Sequence, residues 1–353
     1  MALRRRLRPA LPVLASLATL AAGAAPADAT PRRAFFGVNL AGDAARADFA
    51  ELDKGRVGAA RIGFFWHDVE PTRGASRAWD KYDRLVEGAA VAGTDVLAVL
   101  AGTPSFATDG SNDPPRTRSA RTGYTAFVRD AVRRYGRGGD FWSAHPDLPY
   151  RPIVNWQVWN EPNLDLYWDG DPDPREYASL LAENARAIRE ENPDARVVLA
   201  GLPGGQGANQ MHRYLAALYR VPGARAAFDA VAIHPYAVDV RGVLGALERV
   251  RRVMNRAGDR RTSIWVTEIG WATGYTGSFN SVSPRDQGAH LTRTFRALAQ
   301  RRGRYRIAGV IWWSFRDAKV KQDFWVDYCG LFLADGKAKP AWKAFKRFSL
   351  RAA

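Results

Sequence analysis

Two glutamates, Glu161 and Glu268, occupy positions that suit chemically active carboxylates. Each ends a short run of β-branched and aromatic residues, a composition typical of a buried strand. Pro162 follows Glu161. Because proline cannot donate a ladder hydrogen bond and favours extended geometry in the residue before it, we expect Glu161 to be the last, extended residue of its strand. Hydrolysis of a glycosidic bond requires one protonated and one ionised carboxyl, so the pair predicts chemistry on a sugar linkage.

The alternative for each glutamate is an ordinary carboxylate in a loop. For one glutamate alone, that explanation would be the better one. Here both glutamates stand at strand ends, and each has a tryptophan nearby, Trp159 before Glu161 and Trp271 after Glu268. The large apolar face of a tryptophan can stack on the apolar face of a pyranose ring. The combination favours paired carboxylates in a cleft of the size of a sugar.

Short apolar runs alternate along the chain with segments of helical period. The runs predict strands and the segments predict helices, and together these elements must position the glutamates. We predict eight strands: Phe35–Leu40, Ala59–Phe65, Asp95–Leu100, Ile153–Asn160, Arg196–Ala200, Ala230–His234, Ser263–Glu268 and Ile307–Trp313. The helices predicted between them include Trp79–Ala92, Tyr124–Tyr135, Glu176–Glu190, Gly242–Met254 and one that begins after Ser283, where Pro284 suits the first turn.

Alternating strands and helices, with strands that are apolar on both faces, indicate an α/β fold with a buried parallel sheet. Eight such units predict a single (β/α)8 TIM barrel over residues 30–353. The alternative is a doubly wound sheet, but no Gly-rich phosphate-binding loop follows any predicted strand. Functional side chains of a barrel lie at the C-terminal ends of its strands. Glu161, at the end of strand 4, and Glu268, at the end of strand 7, would then face each other across one barrel mouth.

Other strand ends supply side chains that suit a sugar site. An Arg and a Tyr hydroxyl near a carboxylate keep it ionised and oriented, and an Asn can hydrogen-bond a sugar hydroxyl. The candidate substrate-binding residues are Asn160, Arg61, His234, Tyr236, Trp66, Trp271, Trp312 and Trp313. Singly these signals are weak, because Arg61 alone is more often a structural ion pair and His234 a core imidazole. Trp312 and Trp313 are adjacent on a strand, so they point in opposite directions and one of them belongs to the core.

The first residues have the layout of a secretory signal peptide. Four arginines lie within the first eight residues, the apolar run Ala10–Ala22 follows, and the small-residue pattern Ala27-Asp28-Ala29 suits cleavage. The alternative is a membrane anchor, which needs about 20 apolar residues, whereas this run is shorter and contains Pro12. We therefore expect residues 1–29 to be removed and the protein to be secreted. The single cysteine, Cys329, excludes an intrachain disulfide, so an exported fold would depend on packing.

The chain is strongly basic, with a formal net charge of +16. No recognisable nucleic-acid-binding motif accompanies the charge, so we expect no nucleic-acid partner. Two interpretations remain. The arginines either form solvated helix faces, as expected in an arginine-rich proteome, or favour adhesion to an anionic polymer of the cell envelope. Most of them fall on predicted helices rather than at strand ends, so we do not expect the charge to select the substrate.

Several short motifs, taken together and in this order, resemble those of clan A, the large (β/α)8 superfamily of retaining glycoside hydrolases. They are Asn160-Glu161-Pro162, His234-Pro235-Tyr236, Thr267-Glu268-Ile269-Gly270 and Trp312-Trp313. The likeness extends from about Phe35 to Phe348. It includes the second-strand segment Arg61–Trp66 with Glu70-Pro71 and Trp79, and the closing segment Gly330–Phe332 with Lys339–Ala341. The chain is similar to families 39 and 5, the β-xylosidase-like and cellulase-like groups.

This resemblance implies a glycosidase that cleaves O-glycosidic bonds of a β-linked polysaccharide or oligosaccharide by double displacement, and the signal-peptide layout adds export to that expectation. It implies that Glu161 is the general acid/base and Glu268 the nucleophile. Asn160 would contact the sugar 2-hydroxyl. No metal or other cofactor is expected, and we expect a monomer.

The resemblance also implies that Tyr236 and Arg61 support Glu268, and that His234 lines the cleft. Strand 3 ends without the histidine that many family 5 members carry there, which favours the family 39 kind of enzyme. The alternative function is a catalytically silent barrel that binds polysaccharide or cell wall. That alternative would rest on the basic charge and the tryptophans, and loss of either glutamate would have favoured it.

Overall fold

The computed structural model describes residues 30–353 except 109, 111–112, 205, 208–209 and 320–323. Within this part of the chain, eight parallel strands form a barrel. They are β1 (Phe36–Leu40), β2 (Ala59–Phe65), β3 (Asp95–Ala101), β4 (Asn155–Val158), β5 (Arg196–Val198), β6 (Ala230–His234), β7 (Ser263–Ile269) and β8 (Ile307–Trp312). The predicted signal peptide, residues 1–29, lies outside the described residues.

The sheet closes on itself, because each strand pairs in parallel with its neighbours in the chain and β8 pairs with β1. The shortest join is between β5 and β6, where Val198 pairs with Ala230. Beyond a break in β5, a short strand, Leu202–Pro203, continues its course and pairs with the end of β6. The structure therefore confirms the predicted (β/α)8 TIM barrel, with β5 shorter than predicted and interrupted near Gly201.

Helices between the strands cover the outside of the barrel. The helices are α1 (Arg46–Lys54), α2 (Trp66–Val69), α3 (Asp80–Val91), α4 (Arg118–Tyr135), α5 (Asp140–Ala144), α6 (Pro174–Glu191), α7 (Met211–Tyr219), α8 (Val240–Arg256), α9 (Pro284–Gln300), α10 (Arg302–Tyr305) and α11 (Pro340–Ser349). The start of α9 is as predicted, since the Ser283 hydroxyl accepts a hydrogen bond from the Asp286 N–H and Pro284 lies in the first turn.

Side chains on successive strand residues divide between the helix layer and the barrel interior. On β2, Phe64 stacks on Tyr82 of α3, with ring centroids 4.4 Å apart, and meets Tyr135 of α4 at 5.6 Å. Phe64 therefore belongs to the layer between sheet and helices. Arg61 and Phe65 differ from it by odd numbers of residues and so lie on the opposite face, towards the barrel interior and its mouth.

Many arginines of α4 are held in ion pairs with glutamates of α6. Arg121 Nε lies 2.9 Å from Glu183, and Arg129 and Arg133 both contact Glu191. Exposed pairs of this kind contribute about 0–1 kcal/mol each. The pairs join two neighbouring helices, so part of the basic charge serves helix packing. Adhesion to an anionic polymer stays a prediction.

Two features of the described residues bear on the expectations about membranes and thiols. None of the helices in these ranges combines the length and the apolar character that a membrane-spanning segment needs. Cys329 is buried, and burial raises the pKa of its thiol well above the usual range. A protonated, inaccessible thiol acts as a small apolar side chain and not as a nucleophile.

Candidate active site

The chain leaves β4 by an unusual backbone route that brings Glu161 to the barrel mouth. The strand ends at Val158, and both Trp159 and Glu161 have positive φ angles, 69° and 46°. The prediction that Glu161 is an extended strand residue is therefore wrong. Its backbone N–H donates to the Gly201 carbonyl at 3.1 Å, a tertiary bond that outweighs the local preference of a residue before proline. Left-handed geometry in residues other than glycine is uncommon and clusters at functional sites.

The carboxyl group of Glu161 is buried against an imidazole. Nδ1 of His234, the last residue of β6, lies 2.6 Å from Glu161 Oε1. The other ring nitrogen, Nε2, has no hydrogen-bond partner among the described residues. It faces Gly201, where an added Cβ would lie 2.0 Å from it. Only a residue without a side chain fits at this position, so the break in β5 makes room for the histidine that contacts Glu161.

Glu268, near the end of β7, accepts two hydrogen bonds, one from each of two other parts of the barrel. Arg61 on β2 donates from Nη1 to Glu268 Oε1 at 2.7 Å. The hydroxyl of Tyr236, which follows β6, donates to Oε2 at 2.9 Å. Both partners stabilise the ionised carboxylate and fix the direction of its oxygens.

Arg61 also links three polar side chains around the barrel mouth. Its guanidinium donates to Asn39 Oδ1 at 3.0 Å, to Gln157 Oε1 at 3.2 Å and to Asn160 Oδ1 at 2.7 Å. Asn39 on β1 pairs in register with Arg61, which places the two side chains next to each other. A buried guanidinium needs its donors satisfied, and here the site residues themselves supply the acceptors. The arrangement fixes Asn160 and Glu268 relative to each other.

The two carboxyl groups are close and lie in unequal surroundings. One oxygen of Glu161, one nitrogen of His234 and one oxygen of Glu268 all lie within 4.8 Å of one another. Burial, followed by the charge of Glu268, raises the pKa of Glu161 well above its usual range. Burial also raises the pKa of Glu268, but Arg61 and the Tyr236 hydroxyl oppose that effect. Glu268 is therefore the carboxyl that loses its proton first, and Glu161 is the one that keeps it.

The histidine between the carboxyls is neutral. Burial, assisted by the positive charge of Arg61, lowers the pKa of His234 well below its usual range. An imidazolium at this position would favour the ionised form of Glu161. A neutral ring instead leaves the carboxyl free to keep its proton. The site can thus hold one acid and one carboxylate at neutral pH.

Comparison with known proteins agrees with this geometry. The family model described as "Glycosyl hydrolase catalytic core" matches residues 153–332, a segment that contains both glutamates, His234 and Tyr236. The chain belongs to this family. The resemblance to glycoside hydrolases that the motifs predicted is therefore confirmed. A search of curated protein sequences found no match.

Several solved structures share the fold. A family 39 glycoside hydrolase from the gut symbiont Bacteroides cellulosilyticus WH2 has a TM-score of 0.68 at 23% identity, covering 91% of this chain and 64% of its own. A monomeric beta-xylosidase from Caulobacter crescentus CB15 gives 0.63 at 21%, covering 90% of this chain and 68% of its own. The GH5_18 protein from Streptomyces cattleya, in complex with GlcNAc, gives 0.67 at 18%, covering 91% and 80%. This chain thus spans less than two thirds of the length of the first of these.

Three of the tryptophans predicted to bind substrate lie in the core of the barrel. Trp66, Trp271 and Trp312 are at most 2% exposed. Trp271 stacks on His290 of α9, with centroids 4.8 Å apart, and Trp312 packs against Phe295 of the same helix. Because they are buried, these three side chains have almost no surface on which a sugar could stack. The prediction that they contact substrate is therefore wrong, and they stabilise the fold instead.

The question of which tryptophan at the end of β8 belongs to the core is answered by their burial. Trp312 is the core residue, and its indole N–H donates to the Cys329 carbonyl at 2.9 Å. Trp313 remains half-buried, and its indole N–H donates to the Val326 carbonyl at 3.1 Å. Of the four candidate tryptophans, Trp313 is the one that keeps some exposure at the mouth.

The site contains residues that sequence reasoning missed. Asn39 and Gln157 are polar side chains inside apolar strands, and that mismatch was a signal that could have found them. Tyr167, in a turn shortly after Glu161, has its pKa raised by burial and by the charges of both glutamates, which places it near them. Its loop position gives no sequence signal, because turns of this kind lack a periodic pattern.

Glu161, His234 and Glu268 also form the one group of potential metal ligands within the described ranges that meets a simple distance criterion. The contacts of the group do not suit a cation. Glu268 is already neutralised by the Arg61 guanidinium at 2.7 Å, and Nδ1 of His234 is occupied by Glu161. A metal would have to displace both interactions.

Proposed function

We propose that the protein hydrolyses O-glycosidic bonds of a β-linked glycan with retention of anomeric configuration. The observation that carries this proposal is the short distance between the two carboxyls, whose oxygens approach within 4.8 Å. Retaining enzymes hold their carboxyls about 5–5.5 Å apart, whereas inverting enzymes keep about 6.5–9.5 Å to admit a water molecule. The unequal hydrogen bonding of the two groups assigns the roles.

In the first step, a carboxylate oxygen of Glu268 attacks the anomeric carbon. The bond from that carbon to the leaving oxygen breaks, and its electron pair stays on the leaving oxygen, which takes the proton of Glu161. The products are the free leaving group and a sugar esterified to Glu268. Arg61 and Tyr236 hold the attacking carboxylate in place, since each bonds one of its oxygens.

In the second step, Glu161, now ionised, accepts a proton from a water molecule. The water oxygen forms a bond to the anomeric carbon as the ester bond to Glu268 breaks. Glu268 leaves as a carboxylate and Glu161 is protonated again, so both groups return to their starting states. Two inversions at one carbon give net retention.

The surrounding residues position these groups. His234 fixes the direction of the Glu161 carboxyl through Nδ1. Asn160 Oδ1 accepts a hydrogen bond from the Arg61 guanidinium, which leaves the amide N–H groups of Asn160 to donate to a sugar hydroxyl. In this proposal Asn160 contacts the sugar 2-hydroxyl, next to the reacting carbon.

A panel of aryl β-glycosides and β-linked polysaccharides tests the activity. We expect turnover of at least one aryl β-glycoside, and proton NMR of the first-formed sugar should show the β-anomer. An initially formed α-anomer would remove Glu268 as the nucleophile. Binding without turnover across the whole panel would favour a catalytically silent barrel.

Export belongs to the same proposal, supported by the charge and apolar pattern of residues 1–29. N-terminal sequencing of protein recovered from the culture medium should give a chain that begins near Thr30. Retention of the full-length chain inside the cell would contradict it.

A further inference from the structure

A row of aromatic side chains extends from the nucleophile side of the site towards solvent. Tyr236, which bonds Glu268, meets the ring of Trp325 edge-to-face at a centroid distance of 4.8 Å. Trp325 in turn meets Phe279 at 5.9 Å and Phe324 at 5.7 Å. We call Tyr236, Phe279, Phe324 and Trp325 the aromatic platform. Its members follow β6, β7 and β8, so the platform lies at the C-terminal face of the barrel, where the carboxyls lie.

The platform exposes two large apolar rings that have a common neighbour, Trp325. Phe279 is 56% exposed and Phe324 is 46% exposed, while Trp325 is half-buried between them. Exposed phenylalanines are costly in water, and a contiguous exposed group commonly marks a binding surface. These two phenylalanine rings add little to the core of the barrel.

The backbone beneath Trp325 is fixed to the core. The turn Trp325–Tyr328 begins at Trp325, and the indole N–H of Trp313 donates to the carbonyl of Val326 at 3.1 Å. The indole N–H of Trp312 donates to the Cys329 carbonyl at 2.9 Å. Trp325 is therefore presented by a segment that is tied at two points to the end of β8.

The backbone beneath Phe279 is fixed in the same way. The next residue, Asn280, is buried, and its amide donates to the Gly270 carbonyl just beyond β7. The Asn280 carbonyl accepts from the Ala272 N–H at 3.1 Å. An exposed ring on an anchored loop loses little conformational freedom on binding, which favours recognition.

We propose that the aromatic platform is a sugar-binding subsite that stacks a pyranose unit next to the unit that is cleaved. Aromatic faces complement the apolar C–H face of a pyranose, and the platform is continuous with Glu268 through Tyr236. The consequence is a preference for glycan chains of two or more units over single sugars. The expected effect on kinetics rests on the proposed glycosidase activity, whereas the expected binding of oligosaccharides does not.

The kinetic test compares short and long substrates of the sugar that the aryl panel identifies. The ring of Phe279 meets Trp325, which separates it in the row from Tyr236. In Phe279→Ala, kcat/KM for the oligosaccharide should fall about tenfold, while kcat/KM for the aryl monoglycoside stays within about twofold. Trp325→Ala should lower the oligosaccharide value further. The matched control is Tyr150→Ala, an equally exposed aromatic at 54% in the loop before β4, at the other end of the barrel, which should change neither value.

The binding test uses Glu268→Gln protein and does not need turnover. Calorimetry with cellotetraose, xylotetraose and mannotetraose should detect binding of at least one of them. The double variant with Phe279→Ala should weaken that binding about tenfold, and the one with Tyr150→Ala should leave it unchanged. Wild-type protein that turns over no glycoside would refute the proposed function, yet the binding result would still decide the subsite.

Three outcomes would overturn the subsite. One is equal loss of kcat/KM on short and long substrates in Phe279→Ala. Another is failure to bind any of the three tetrasaccharides. The third is a dimer in sedimentation that Phe279→Ala dissolves, which would make a second copy of the chain the occupant. Each variant must melt at the wild-type temperature for its result to count. If Trp325→Ala folds poorly, Phe279→Ala still provides the test, because its ring is exposed.

Discussion

Oε1 of Glu161 lies 2.6 Å from Nδ1 of His234, a residue 73 positions further along the chain. The contact exists because β4 and β6 end at the same face of the barrel and because Gly201, between them, leaves room for the imidazole. The ring is fully buried and neutral, so it directs the carboxyl without supplying a charge that would ionise it. The protonation state of Glu161 is thus set by packing as much as by electrostatics.

The first prediction concerns Glu268 as the nucleophile. Glu268→Gln should lower kcat/KM by about 10⁴-fold or more, since an amide cannot form the ester intermediate. Azide added to Glu268→Ala should partly restore turnover of an activated aryl β-glycoside and give an α-glycosyl azide, which NMR identifies. Glu87→Gln, on the exposed side of α3, is the control and should keep full activity. Near-wild-type rates in Glu268→Ala would refute the assignment.

The second prediction concerns the pH dependence of kcat/KM. It should be bell-shaped, with an acid limb that reports mainly Glu268 and a basic limb that reports mainly Glu161. The two limbs belong to a coupled pair, so they are macroscopic values. The raised pKa of Glu161 displaces the basic limb upward, and Glu161→Ala should flatten that limb.

The same variant should distinguish leaving groups. Glu161→Ala should slow substrates with poor leaving groups by roughly 10²–10⁴-fold, because only these need a proton in the first step. Activated dinitrophenyl glycosides should be affected far less. An equal effect on both classes, measured across a series of aryl glycosides, would show that Glu161 is not the acid.

Much of the barrel could be predicted from the sequence, because its strands are short runs of apolar, β-branched residues. The bounds of β2 and β6 were predicted to the residue, and Glu268 lies on its strand as expected. Glu161 was placed near the mouth, but its left-handed backbone was missed. That conformation depends on a hydrogen bond to Gly201, which lies 40 residues further along the chain. A local rule about residues before proline takes no account of such a distant contact.

The tryptophans show the same limit. A tryptophan beside a catalytic carboxylate was expected to face the sugar, yet Trp271 stacks on His290 of α9. After a strand ends, the direction of a side chain depends on where the next helix packs. The periodic sequence pattern that predicts direction within a strand no longer applies there. Trp325, the aromatic ring that does lie beside Tyr236, is in a loop without any pattern.

The third prediction links the acid to stability. Because the pKa of Glu161 is raised in the folded state, its protonated form stabilises the fold fully below the unfolded value of about 4.3. That contribution is lost as the pH rises through the folded pKa, where the native state must ionise a buried carboxyl.

Glu161→Gln carries no ionisable carboxyl, so its stability should not fall with rising pH in this way. Its melting temperature should match that of the wild type near pH 4 and exceed it by about 2–4 °C or more near pH 8, since a tenfold change in an ionisation equilibrium on folding corresponds to about 1.4 kcal/mol. Calorimetry at several pH values measures the difference. Glu87→Gln, which replaces an exposed carboxylate, should show no such pH-dependent gain. A constant offset at all pH values would mean that Glu161 titrates normally in the fold.

The last prediction concerns Gly201, which touches no substrate in the proposed mechanism. Gly201→Ala places a methyl group where the imidazole of His234 lies, only 2.0 Å from Nε2. The ring has to move, and the Nδ1 contact that directs the acid is lost. His234 Nδ1 lies 2.6 Å from Glu161 but 3.4 Å from Glu268, whose two hydrogen bonds come from Arg61 and Tyr236. We therefore expect kcat/KM to fall by about 10-fold or more on poor leaving groups and much less on activated ones. Gly204→Ala, three residues later, is the matched control, since an added Cβ there meets no atom within 4 Å. A Gly201→Ala protein that melts normally and loses activity equally on all leaving groups would show that His234 does not act through Glu161.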